Sequence, residues 1–104
     1  MPQQFDIVEN LNPARRAQYP FLVVLQHDRV AALRSVVAAP LAEATVALAG
    51  SQLHVSVAID GRRYVILLEE LAAVQSNSLG HVTASAESIR YEIIRAIDLL
   101  FTGI

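Results

Sequence analysis

Large aliphatic residues at Leu53, Val55, Val57 and Ile59 alternate with His54, Ser56 and Ala58, and the dipeptide Asp60-Gly61 follows at once. A period of two places the four bulky groups on one face of an extended chain, so this stretch reads as a half-buried β-strand. Both central residues of a type I′ turn need positive φ, which Asp tolerates and Gly takes freely. Asp60-Gly61 therefore folds the next run, Arg63 to Leu68, back as a hairpin.

Other segments carry strand signals of their own. Phe5, Ile7 and Val8 suggest a first short strand, ended by the polar, proline-containing stretch Glu9 to Pro20, which reads as a loop. The continuous apolar run Phe21 to Leu25 fits a central strand buried on both faces. The β-branched run Ser35 to Ala39 stops at Pro40, which cannot donate to a ladder and so marks a strand end or an edge. PLAEATVALAG has a helical composition framed by Pro40 and Gly50 and reads as irregular or a short helix. Gln75 to Ser85 is polar and turn-rich and reads as a loop, with at most a short edge strand.

The last element is a helix. Ser85 is placed to cap its first turn, Glu87 puts negative charge where the helix dipole favours it, and no Gly or Pro intervenes before Gly103. Ile89, Ile93, Ala96, Ile97 and Leu100 form one apolar stripe for the sheet. Ile94, Asp98 and Phe101 make a second, partly apolar ridge outside that stripe, and the chain runs on through Thr102 and Gly103 to Ile104.

With 104 residues the chain suits one domain with one core. Hydrophobic residues make up 54% and charged ones 17%, against typical shares of roughly 45–50% and about 25%. Part of so apolar a surface is expected to be covered by another subunit, and a homodimer is the first expectation. The formal net charge is −2 and all eight basic residues are arginine, which argues against binding nucleic acid through broad phosphate neutralisation. Cysteine is absent, so disulfides, thiol catalysis and cysteine-based zinc sites are excluded. No signal peptide or membrane span is legible, and a cytoplasmic location is expected.

No catalytic constellation emerges. His27-Asp28 are neighbours, and neighbours on a strand point to opposite faces. His54 and His81 lack a spacing to other metal ligands. Glu69-Glu70 read as a solvated strand end, and Arg15-Arg16 and Arg62-Arg63 as solvated loop or turn residues. Phosphate loops and nucleophile motifs are missing, so no catalytic residue, metal or cofactor is expected.

The closing DLLFTGI resembles the carboxyl-terminal signature of the CcdB family, toxins of bacterial toxin–antitoxin pairs that poison DNA gyrase, whose chains end in a helix followed by Phe-Trp-Gly-Ile. Gln4-Phe5, the aliphatic strand leading into Gln26-His27-Asp28, Ala39-Pro40-Leu41-Ala42, Tyr64 after the hairpin turn and Gly80 fall in family order. The resemblance implies a mainly antiparallel β fold related to SH3-like barrels, with a small second sheet, a carboxyl-terminal α-helix and a tight homodimer. It also implies that the paired tails bind the DNA gyrase A subunit and trap it on cleaved DNA, and that a disordered antitoxin segment binds the toxin and releases it. The gyrase-binding positions would be Thr102, Gly103 and Ile104, with Phe101 packing beneath them and Asp98 one turn back. Arg29 and Val30 would be secondary partner contacts, standing where the family has an isoleucine pair. Thr102 replaces the family tryptophan and Asp98 an asparagine. The first replacement opens an alternative: a retargeted or non-toxic homologue that still binds antitoxin. A further alternative is an endoribonuclease toxin, because a ribonuclease family resembles this fold.

Overall fold

The computed structural model describes residues 2–28 and 34–103. Among these residues seven strands make one antiparallel sheet: β1 Asp6–Asn10, β2 Phe21–Val24, β3 Ser35–Glu43, β4 His54–Ile59, β5 Arg62–Leu67, β6 Ala72–Gln75 and β7 Leu79–Ser85. Their order is β4-β5-β3-β2-β1-β7, with β6 branching off β3. The small second sheet that the resemblance implies is thus not separate, since β6 joins the one sheet through β3. Among the described residues there is one α-helix, α1 Arg90–Thr102, which follows β7. Among the described residues no helix is long and apolar enough to cross a membrane.

The hairpin forms as its sequence dictates. Asp60 and Gly61 have φ of 51° and 80°, and β4 pairs with β5 from His54↔Leu67 to Ile59↔Arg62 without a shift. Val55 and Ile59 are buried and Val57 half-buried, whereas Ser56 and Ala58 are exposed. On this face Ile7, Val23 and Ala39 lie across neighbouring strands and meet Leu41, Ile66 and Leu68 in the main core. A smaller cluster of Val8, Leu22 and Ala38 occupies the opposite face.

Two expectations are corrected. β3 does not stop at Pro40 but runs on to Glu43. Val37 bonds toward β2, because its carbonyl accepts from the Leu25 amide, so by alternation Pro40 turns its nitrogen to the other edge. There β3 changes partner, from β6 at Ser35–Ala38 to β5 at Leu41–Glu43. The missing N–H falls in the gap between the two ladders, where neither β6 nor β5 is paired with Pro40. The alanine-rich remainder then makes only a 3-10 turn at Val46–Leu48. Secondly, most of the polar segment Gln75–Ser85 is strand β7, paired with β1 at the sheet edge. Its side chains face solvent more than core, which is why no alternating apolar pattern announces it.

The helix is held to the sheet at both ends of its entry. Phe5, buried and at φ 69°, accepts the Ala86 amide on its carbonyl at 2.7 Å and donates its own amide to Val24 at 2.7 Å. The Ser85 hydroxyl accepts the Glu87 amide at 3.1 Å but does not cap α1 as expected, because a 3-10 turn, Glu87–Ile89, intervenes and the cap positions, Ala86 and Ile89, make no side-chain cap bond. Ile93 and Ala96 are buried in the core, with Ile89 and Ile97 packed beside them. Burying a side chain such as Ile93 contributes about 1.5–3 kcal/mol, which fixes the rotation of α1 about its axis.

Candidate binding surface at the carboxyl-terminal helix

Once Ile93 and Ala96 point inward, the residues one step round the helix must point out. Ile94 is 37% exposed and Phe101 68%, and Asp98 between them is exposed. Tyr91 extends the row by one turn and is 78% exposed. Tyr91 was not among the residues expected on this ridge, although its spacing of three from Ile94 places it there. Tyr91, Ile94, Asp98 and Thr102, with Arg95, border a shallow depression of about 510 Å³.

At the helix end Gly103 takes φ 74° and its amide donates to the Leu99 carbonyl at 3.0 Å. A left-handed residue here suits glycine and turns the chain off the helix axis. Thr102 is exposed, with its hydroxyl donating to the Asp98 carbonyl at 2.6 Å, so its polar group folds back along the helix. Asp98, Phe101, Thr102 and Gly103 therefore share one exposed end of the molecule. Phe101, expected to pack beneath the tail, instead has most of its ring in solvent. Ile104, Arg29 and Val30 lie outside the described residues.

The residues weighed for chemistry scatter. Asp28 accepts the Gln4 amide at 2.8 Å, and Arg62 approaches Glu43 at 3.5 Å on the surface. Among the described residues no cluster suits a metal ion. Glu69 and Glu70 separate. The Glu69 carboxylate meets His54 Nε2 at 2.7 Å, while His54 Nδ1 meets the Leu48 carbonyl at 2.8 Å. Both ring nitrogens face acceptors, so the doubly protonated imidazolium satisfies both. Burial disfavours that charge, but the Leu48 carbonyl and the Glu69 carboxylate outweigh it and raise the His54 pKa above its ordinary 6.5. No local spacing signals this clamp, because Glu69 is 15 residues away.

Glu70 instead borders a groove of about 450 Å³ on the opposite face of the sheet, with Arg15, Asn12 and Gln75 at its rim and Leu22 and Pro40 among its apolar lining. The Arg15 guanidinium lies 5.0 Å from the centroid of the Tyr19 ring. Asn10, which is buried, holds the groove wall by donating to the Tyr19 carbonyl and accepting the Asn12 amide.

Residues 4–103 match the family model described as CcdB protein. No curated protein matches the sequence. The fold is similar to the crystal structure of an Mtb toxin, with a TM-score of 0.73 and 17% identity over 91% of this chain and 99% of that one. It is also similar to an endoribonuclease in complex with its cognate antitoxin from a mycobacterial species, with a TM-score of 0.76 and 12% identity over 96% of this chain and 94% of that one.

Proposed function

The chain belongs to the CcdB family, and on that premise we propose that it is the toxin of a bacterial toxin–antitoxin pair, a homodimer that binds the DNA gyrase A subunit through its carboxyl-terminal helices. The observation that carries this reading is the exposed row Tyr91, Ile94, Asp98 and Phe101 leading to Thr102 and Gly103. Aromatic and aliphatic groups at that exposure have the composition of an interface centre rather than of a solvated helix face. Action is stoichiometric: contacts of the paired tails favour one conformation of gyrase on cleaved DNA and shift that equilibrium, with no bond made or broken by the protein.

Thr102 tunes the outcome. A hydroxyl folded back on Asp98 offers a partner little contact area, and an aromatic anchor in its place adds ~2 kcal/mol or more, a factor above ten in affinity. The test is gyrase-mediated cleavage of plasmid DNA with increasing protein. Cleaved complexes accumulating in proportion to bound protein, and at least tenfold more readily with Thr102→Trp, are expected. Absence of binding to the gyrase A subunit by both forms overturns the gyrase assignment. Normal growth on expression, with antitoxin binding retained, identifies a non-toxic or retargeted homologue.

One observation favours a second reading, an endoribonuclease. Arg15 and Glu70 line a single groove, which offers a group that can bind an anion and a carboxylate that can serve in acid–base chemistry. Transcript cleavage abolished by Glu70→Gln and by Arg15→Ala, without DNA damage, would establish it over gyrase poisoning.

A further inference from the structure

The edges of the sheet at β7 and at β4 differ. β7 is interrupted by two register shifts against β1, between Ile7 and Val8 and between Val8 and Asn10, and such irregularities disrupt a strand edge as a template for further pairing. β4 has no shift over its whole length. It also carries no proline, and its one titratable residue, His54, is turned toward Leu48 and Glu69, so the usual protections of an edge are missing. The Leu53 carbonyl accepts from Leu68, so alternation turns Leu53, Val55, Val57 and Ile59 toward β5 and leaves the N–H and C=O of Ser56 and Ala58 directed outward.

Beside that edge lies a groove of about 600 Å³ between β4 and α1. Ile89, Ala96 and Leu99 give it an apolar side, and Glu92 and Arg95 place opposite charges along its helical wall. Among the described residues neither Glu92 nor Arg95 enters an ion pair.

We propose that the β4 edge and the α1 wall form a strand-accepting groove, occupied by an extended segment of a partner polypeptide that carries an acidic and a basic residue two positions apart. Main-chain bonds to Ser56 and Ala58 hold the segment as an eighth strand. Its charged residues, on one side of the added strand, face Arg95 and Glu92. Complementarity to this charge pair selects a mixed-charge peptide. The proposal rests on the toxin–antitoxin reading only for the source of the segment, a disordered antitoxin region.

The probe is the blocked peptide Thr-Val-Glu-Val-Lys-Val-Thr and its form with Glu and Lys exchanged, titrated into the full chain and followed by amide hydrogen exchange and backbone NMR shifts. Protection of the Ser56 and Ala58 amides is expected, with one charge order preferred by about threefold. Ser56→Pro removes an amide that the fold does not use and should weaken binding at least tenfold with unchanged circular dichroism. Should that variant fail to fold, the double exchange Glu92→Arg with Arg95→Glu must reverse the charge preference. Unprotected Ser56 and Ala58, equal binding by Ser56→Pro, or protection that rises with protein concentration alone overturns the proposal. An antitoxin that binds while leaving these amides unprotected removes the groove and leaves the toxin–antitoxin reading standing; peptide binding without any antitoxin binding does the reverse.

Discussion

Truncating Phe101 to alanine isolates the exposed ridge from the rest of the molecule. The residue is 68% exposed, and an aromatic side chain can bury 150–250 Å², so a partner covering it removes roughly 100–170 Å² more from water. At ~25 cal/mol/Å² that is about 2.5–4 kcal/mol for each ring covered, or about two to three orders of magnitude in a dissociation constant. The isolated fold feels little of it, since an exposed site in the last helical turn changes stability by about 0.5 kcal/mol or less. At a concentration where the protein is monomeric the variant should therefore keep its melting temperature, and it should lose affinity for a second copy, for the gyrase A subunit, or for both. Sedimentation equilibrium reads the first and calorimetric titration the second. Val46→Ala supplies the control, because Val46 is 94% exposed but lies in the 3-10 turn before β4 and should change neither affinity. Unchanged self-association and unchanged target binding by Phe101→Ala would refute the argument that this ridge is an interface.

Three further outcomes are expected. The folded-state pKa of His54 lies above the ordinary 6.5, so the clamp on Leu48 and Glu69 stabilises fully below about pH 6.5 and its contribution disappears as pH rises through the folded value. Melting temperature should fall across that window in the parent protein, and His54→Gln should remove that part of the slope. Ile93→Ala leaves a cavity under α1 and should cost about 2–5 kcal/mol in urea denaturation, enough to release the ridge with the helix; a loss below 1 kcal/mol would show that α1 is not held by this contact. Gly80→Ala would bring a methyl group to 2.8 Å from Glu9 Cβ and 3.1 Å from its carbonyl, so separating β7 from β1 should cost ~1–3 kcal/mol, read as faster exchange of the β7 amides.

Local periodicity and turn chemistry determined the hairpin at Asp60-Gly61, the buried strand Phe21–Val24, the inward stripe of α1 and the ridge beside it. Each depends on neighbours within a few residues, where backbone geometry alone dictates which side chains share a face. Tertiary structure decided the rest. Pro40 sits inside a strand because β3 exchanges β6 for β5 at that point, and β7 pairs with β1 although it buries little. The His54–Glu69 clamp, the Arg15–Glu70 groove and the open β4 edge beside Glu92 and Arg95 join residues far apart in the chain. Their proximity comes from strand order and from the packing of α1 on the sheet, so no local pattern records it.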